Sequence, residues 1–263
     1  MPAITFDLWH TLLYLRPRDE DRYMKSQFSL GARALSRATR RAGAADLSDA
    51  QLESAFKAQY LHAVEEAGHG RSVSPAAQLE RAGVIIGRQP SVESYLAELR
   101  DLVQATPFQR AAGALELLES LAQDGYSLAV ISNTIGEPGA ALWPVLKSFE
   151  LDRFVSTFMF SDEHPWTKPA PEIFAATLRR LEEPASQAVH VGDGWSDLEG
   201  ARRAGFRAGI LFTGLQEYGA EYRQLFAPSP KEEPPAPHQA VTLGEVGDLV
   251  RKLLPPRSSS STL

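Results

Sequence analysis

The residues of this chain that can do chemistry fall directly after short apolar runs. Asp7 follows "ITF", Ser132 and Asn133 close "SLAVISN", Lys168 lies in "WTKPAPEIF", and Asp193 and Asp197 follow "AVHVG". A carboxylate can serve as a covalent nucleophile. Mg²⁺ is a hard cation that takes oxygen ligands, commonly one or two carboxylates with water and phosphate oxygens. Asp7 and Asp193, with Asp197 in support, match that need. The Ser132 hydroxyl, backbone N–H groups near Asn133 and the Lys168 ammonium would cradle phosphoryl oxygens and offset their charge. Lys168 also lowers the cost of gathering three carboxylates, which otherwise raise one another's pKa. Singly, each residue has a plainer reading, since an Asp at a strand end is most often a helix cap and a lone Lys a solvated charge. Their convergence on one rim points to phosphoryl chemistry.

That rim exists only if the intervening elements build a parallel sheet. Ile4, Phe6 and Leu8 alternate around Thr5, so residues 3–8 read as a short buried strand with Asp7 near its end. "LRPRDEDR" then breaks the pattern, and from Asp21 to Gln104 the spacing predicts helices with no strand. "LGARALSRATRRAG" stops at Gly43, and "LSDAQLESAFKAQYLHAVEEAG" opens on a Ser48 N-cap and stops at Gly68. "SPAAQLERAGVIIG" has Ser74 as N-cap and Pro75 at the first helical position, and "SVESYLAELRDLV" is capped by Ser91. From Pro107 onward the grammar alternates: helix "ALELLESLAQDG", strand "YSLAVIS", helix "GAALWPVLKSFEL" interrupted by Pro144, and strand "FVSTFMFS". Helix "APEIFAATLRRLE", strand "AVHVG", helix "SDLEGARRAG" and strand "RAGILF" follow, and "QAVTLGEVGDLVRKLL" closes with a short strand and a helix. Such alternation implies right-handed βαβ units. The expected fold is α/β, a doubly wound parallel (Rossmann-like) sheet with an inserted all-helical domain. Residues 1–15 and 106–254 would form the core, residues 16–105 the insert, and residues 255–263 a disordered tail, with a Pro-rich loop at 228–238. In such sheets ligands bind outside the carboxyl ends of the strands, where the reactive residues lie.

Composition narrows the function classes. With 43% hydrophobic and 23% charged residues the chain can bury a core, and a net charge of −6 argues against a nucleic-acid footprint. No apolar run approaches the ~18 residues that span a bilayer, and "MPAITF" has no basic region ahead of an apolar stretch. The absence of cysteine excludes disulfides, thiolate metal sites and a Cys nucleophile. The expectation is a cytoplasmic protein, with monomer and homodimer both open.

Four segments together resemble the haloacid dehalogenase superfamily of hydrolases: "FDLWHTL", "VISNT", "KPAPEIF" and "VGDGWSDLEGARRAGF". They follow the family's order and spacing and frame nearly all of residues 4–211. The resemblance implies that the helical insert is a cap domain (of the C1 type) closing over the site. It implies Asp7 as nucleophile, with the backbone carbonyl of Trp9 joining Asp7 and Asp193 around Mg²⁺. It further implies that Thr11 steadies the Asp7 loop, that Ser132 and Lys168 hold the transferred group, and that Asp197 supports the metal shell. The activity implied is that of a phosphatase acting on a small phosphorylated metabolite.

One position departs from the family's phosphatases, which usually carry a second Asp two residues after the nucleophile as general acid and base. Here it is Trp9, whose indole has one N–H donor and no useful acid–base capacity. Loss of general acid–base help is worth about 10²–10⁴ in rate. His10 is the nearest substitute, as an imidazole titrates near neutrality, and it joins Ser132, Asn133 and Lys168 as a candidate substrate contact. Dehalogenases of the superfamily also lack that Asp and use no metal, so Trp9 points partly toward C–halogen hydrolysis. "GDGWSD" points the other way, because two carboxylates beside Asp7 without a cation repel one another. A third reading, a non-catalytic member that binds a ligand or a partner, also stays open. Trp195 reads as a rim residue, and His62 and His69 lack neighbours for a metal site.

Overall fold

The computed structural model describes residues 1–226 and 238–256. The Pro-rich stretch up to Pro237 and the tail from Arg257 lie outside the described residues. The chain runs β1 (Ala3–Phe6), β2 (Leu13–Tyr14), α1 (Pro17–Arg37), β3 (Thr39–Arg40), α2 (Asp49–Gly68), α3 (Pro75–Ile85), β4 (Arg88–Gln89), α4 (Val92–Ala105) and β5 (Gln109–Arg110). It continues through α5 (Ala114–Gln123), β6 (Ser127–Ser132), α6 (Gly139–Ser148), β7 (Thr157–Phe160), α7 (Pro171–Leu181), β8 (Ala188–Gly192) and α8 (Trp195–Arg203). The last elements are β9 (Ala208–Phe212), α9 (Ala220–Phe226), β10 (Gln239–Ala240) and α10 (Leu243–Leu253).

Six strands form one parallel sheet in the order β10–β9–β8–β1–β6–β7. The expected doubly wound α/β fold is therefore present. The sheet grows from β1 outward through β6 to β7, then restarts on the other side of β1 with β8, which makes the ends of β1, β6 and β8 the switch point. The two-residue period of the strands sorts their side chains between two apolar layers. Ile4, Phe6, Leu128, Val130 and Val189 pack on one face against Leu118, Leu146 and Val250 of α5, α6 and α10. Ala3, Ile131 and Ala188 face the other, against Phe174 of α7 and Ala201 of α8. Full burial of a side chain such as Phe6 contributes about 1.5–3 kcal/mol.

Between β2 and β5, which pair antiparallel, lie α1–α4. Ser48, Ser74 and Ser91 accept backbone N–H groups at the starts of α2, α3 and α4, as their positions predict. Phe28, Leu35, Phe56, Leu79, Tyr95 and Leu99 belong to an apolar cluster distinct from those on the sheet. Three expectations for this region need correction. Helix α1 begins at Pro17, inside "LRPRDEDR", because Pro at the first turn and the acids Asp19 and Glu20 there favour a helix start. It ends at Arg37 rather than near Gly43, and the insert is not all helical, since β3 and β4 pair antiparallel. The buried Arg88 guanidinium, on β4, donates to the carbonyls of Leu35 and Ser36 at 3.1 and 3.3 Å and closes the helix end. Helix α9, packed on α1 and α2, has no counterpart in the sequence expectations. No helix among the described residues is long and apolar enough to cross a membrane.

Candidate active site

The switch point brings the predicted acids and the lysine together. Asp7 is anchored by its backbone N–H, which donates to the carbonyl of Val191 at 2.8 Å, and its carboxylate accepts from the Lys168 ammonium. Lys168 also donates to Asp197 Oδ1 at 2.6 Å, and all three residues are buried. The second oxygen of Asp197 accepts the Gly194 N–H at 3.1 Å. Gly192 makes room for this carboxylate, since a Cβ there would stand 2.2 Å from Asp197 Cγ. Asp193 is half-buried and accepts the Tyr218 hydroxyl at 3.0 Å. A carboxylate oxygen from each of Asp7, Asp193 and Asp197 lies within 4.8 Å of the other two.

Behind the rim, His190 Nε2 stands 3.2 Å from Asp197 Oδ1 and its Nδ1 stands 2.7 Å from Thr5 Oγ1. An ionised carboxylate only accepts, so Nε2 carries the ring proton and Nδ1 accepts from the Thr5 hydroxyl. Burial lowers the His190 pKa and keeps the ring neutral. His190 was read from sequence as a strand residue only.

The electrostatics divide the acids. Burial works to raise Asp197, but the Lys168 ammonium and the His190 N–H outweigh it and hold this carboxyl below the usual range. Burial raises Asp7 well above that range; the charges of Asp197 and Asp193 act in the same direction and Lys168 against it. Asp193 is raised by burial and then by Asp197. Burial opposes the Lys168 charge, yet Asp197 and Asp7 leave its pKa raised. One ammonium thus serves three acids, and two of them stay short of positive charge. A hard divalent cation fits that deficit and that all-oxygen donor set.

The other predicted residues take varied places. Ser132 Oγ, at the end of β6, is fully buried and has no hydrogen-bond partner among the described residues. The Asn133 side chain is committed to the Lys168 backbone, donating to its carbonyl at 3.0 Å and accepting its N–H at 2.8 Å. It therefore sets the Lys168 loop from a place in the lining of the cavity over Asp7. Thr11 is buried but its hydroxyl bonds nothing described; the Asp7 loop is steadied by backbone bonds from Leu12 and Leu13 to Leu8 and from His10 to Leu13. His10, at φ 54°, gives its Nε2 to Glu20 at 2.9 Å. The Trp9 ring packs 5.4 Å from Phe108.

A cavity of about 710 Å³ opens over Asp7, Lys168, Asp193 and Asp197, with Trp9, His10 and Trp195 also in its lining. Several of its residues escaped the sequence reading. Glu20, on α1, accepts from the Gly219 N–H at 2.6 Å as well as pairing with His10. Glu137 is buried and accepts from Tyr23 and Gln27; burial, only partly opposed by these bonds and by Trp9, pushes it up to about 8. Tyr222 and Phe226 of α9, with Tyr218 just before it, reach the cavity at a spacing of four residues, a pattern in the sequence consistent with a helix there.

Comparison with known proteins agrees with this geometry. The chain is 32% identical over 143 residues to a phosphoglycolate phosphatase of Pseudomonas savastanoi pv. phaseolicola, covering 54% of this chain and 45% of that one. It is 34% identical over 138 residues to a ribulose-1,5-bisphosphate 5-phosphatase of Halopiger xanaduensis, covering 52% and 55%. The chain thus spans about half the length of these curated relatives. Its fold resembles that of a HAD phosphatase from Thermococcus onnurineus at 21% identity and a TM-score of 0.59, covering 97% of this chain and 99% of that one. A dehalogenase structure is similar too, at 21% identity and a TM-score of 0.53, covering 95% and 96%. The family model for haloacid dehalogenase-like hydrolases matches residues 1–205, a span that holds the first three motifs, the fourth up to Gly205, and every rim acid. By that match, and by the strand-end carboxylates it contains, the chain belongs to the haloacid dehalogenase-like hydrolases.

Proposed function

We propose that the chain is a Mg²⁺-dependent phosphatase that hydrolyses a small phosphorylated metabolite through an aspartyl-phosphate on Asp7. The observation that carries this reading is the surplus of carboxylates: Asp193 and Asp197 beside Asp7, with Lys168 as their only close cation among the described residues. A metal-free dehalogenase would have to bear that repulsion. Asp7, Asp193 and the Trp9 backbone carbonyl would hold Mg²⁺, which when bound neutralises the phosphoryl oxygens. Asp197, whose oxygens accept from Lys168, His190 and Gly194, positions the lysine more than it offers a ligand. A carboxylate oxygen of Asp7 attacks phosphorus as the ester P–O bond breaks, and the leaving oxygen takes a proton from water. A second water then attacks the phosphoryl group, releasing inorganic phosphate and restoring Asp7. Lys168 and the unpartnered Ser132 hydroxyl would hold the transferred group. Residues 16–105 act as the cap over the core of residues 1–15 and 106–254, and the setting is cytoplasmic.

Phosphate and halide release from panels of phosphate esters and 2-haloacids, with Mg²⁺ or chelator, tests this. Phosphate release that disappears with chelator, and falls on the order of 10⁴-fold or more in Asp7→Asn, is expected. Halide release indifferent to chelator would overturn it. Silence of the native chain, with phosphatase activity only in Trp9→Asp, would instead favour a binding role.

A further inference from the structure

The cavity over Asp7 gathers most of its charged side chains at one end. Its floor holds the three Asp residues and Lys168, whereas Tyr23, Tyr60, Phe108, Tyr222 and Phe226 contribute to its walls. Set into these walls is a hydrogen-bonded group: Glu137 Oε2 accepts the Tyr23 hydroxyl at 3.3 Å and the Gln27 amide at 3.2 Å. Gly136 lets Gln27 lie against the loop, for a Cβ at that glycine would come within 2.6 Å of Gln27 Nε2. Besides Lys168, the cationic or basic side chains of the lining are His69 and Arg223, both exposed, and His10, bound to Glu20. Arg223 itself donates to the Tyr218 carbonyl.

A leaving group with its own carboxylate or second phosphate would lie against the aromatic walls and the Glu137 carboxyl, with Arg223 at the exposed side of the lining as the one permanent cation beyond the floor among the described residues. Burial of an unpaired charge costs several kcal/mol. A very small leaving group would also leave most of the 710 Å³ empty, since pockets of about 300–1,000 Å³ suit drug-sized ligands. Resting on the phosphatase reading of the floor, we propose that the substrate is a monophosphate ester of an uncharged alcohol with a flat apolar body and a hydrogen-bonding edge. The aromatic walls take the body and the Gln27–Glu137 pair reads the edge. Aryl phosphates and nucleoside 5′-monophosphates share this chemistry.

The test compares phosphate release with Mg²⁺ from 1-naphthyl phosphate, uridine and adenosine 5′-monophosphates, phosphoglycolate and ribulose 1,5-bisphosphate. At least one of the first three should exceed both anionic-tailed esters by about tenfold or more in kcat/KM. Preference for naphthyl phosphate identifies an aryl source, preference for a nucleotide a nucleoside source. In Glu137→Arg, the ratio should move about tenfold or more toward phosphoglycolate. Equal or better turnover of phosphoglycolate by the native chain overturns the inference and leaves the phosphatase reading intact. If no ester is hydrolysed, the phosphatase reading fails, and calorimetric binding to Asp7→Asn decides the inference separately. Tighter binding of naphthyl phosphate or a nucleotide than of phosphoglycolate supports it, and any other order, or no binding, overturns it.

Discussion

The floor and the wall of the cavity both bury acids, but they hold them with different partners. On the floor, Asp7 and Asp197 share the Lys168 ammonium, and Asp197 adds the His190 and Gly194 N–H groups. On the wall, Glu137 is held by neutral donors, chiefly the Tyr23 hydroxyl and the Gln27 amide, with a smaller contribution from Trp9. Burial presses on both. It is overcome at Asp197, where Lys168 and the His190 N–H hold the carboxyl below the usual range, and it prevails at Asp7, which shares that ammonium with neighbouring acids, and at Glu137, which rises to about 8. An ammonium holds a buried carboxyl ionised where neighbouring acids do not offset it, as at Asp197, and Glu137 has no such partner. Carboxyls therefore serve two ends: a floor of acids around an ammonium that suits phosphoryl chemistry, and a wall whose Glu137 is pushed by burial toward its neutral form and suits an uncharged group.

The most severe way to break the contrast is to take the cation from the floor. Lys168→Met leaves Asp7 and Asp197 buried without their ammonium and should destabilise the fold by about 3–5 kcal/mol. Urea denaturation at pH 8 measures this, and phosphate release should vanish with it. The deficit should shrink at pH 5, because an unpaired buried Asp takes up a proton that the unfolded chain binds more weakly. A loss below about 1 kcal/mol would place the floor acids in water-like surroundings, as in an exposed pair.

A smaller effect sharpens the wall. Glu137 has a folded pKa above its unfolded value of about 4.3. Its contribution to stability is therefore complete below that unfolded pKa and is lost as pH rises toward 8, where the unfolded chain has already released its proton. The slope is at most about 1.4 kcal/mol per pH unit within the window. Glu137→Gln keeps the shape and removes the titration, so the stability of the native chain should fall relative to the variant between pH 5 and 8 by roughly 2–4 kcal/mol. Asp7 and Asp193, raised in the same direction, are common to both proteins and cancel in the difference. A flat difference would mean that Glu137 is ionised throughout, and the contrast between floor and wall would fail.

The floor was legible in the sequence because its residues sit where strand grammar places them. Asp7, Ser132 and Asp193 each follow a short apolar run, and β8 has the residues expected from "AVHVG" alone. The wall was not legible, because its contacts join distant segments. Glu137 meets Gln27 and Tyr23 across 110 and 114 residues, and Glu20 meets Gly219 across 199. No local pattern announces such a pair. His190 lay hidden for another reason: in a strand buried on both faces, a ring that supports Asp197 looks like one more core position. Arg88 is similar, since a guanidinium that closes α1 from 51 residues past its end leaves no periodic trace. The extent of α1 and the β3–β4 pair were misread with it.

Tyr218 stands where the two regions meet, so its hydroxyl gives the smallest and finest test. The hydroxyl donates to Asp193 on the floor, while the ring lies 4.6 Å from His10 at 70° and stacks 5.3 Å from Tyr222 at 13° on the wall. Tyr218→Phe deletes the floor contact and keeps the ring. Asp193 is only half-buried, so water from the cavity can replace the lost donor. The expected loss is about 1 kcal/mol in urea denaturation, within the range of an ordinary hydrogen bond. The Mg²⁺ concentration for half-maximal phosphate release should shift by less than about tenfold, the equivalent of 1.4 kcal/mol. A loss above about 3 kcal/mol would show that Asp193 is sealed from water and depends on Tyr218 as Asp197 depends on Lys168. In that case the ionic floor would extend to α9, and the segment after β9 would belong to the floor and not to the wall.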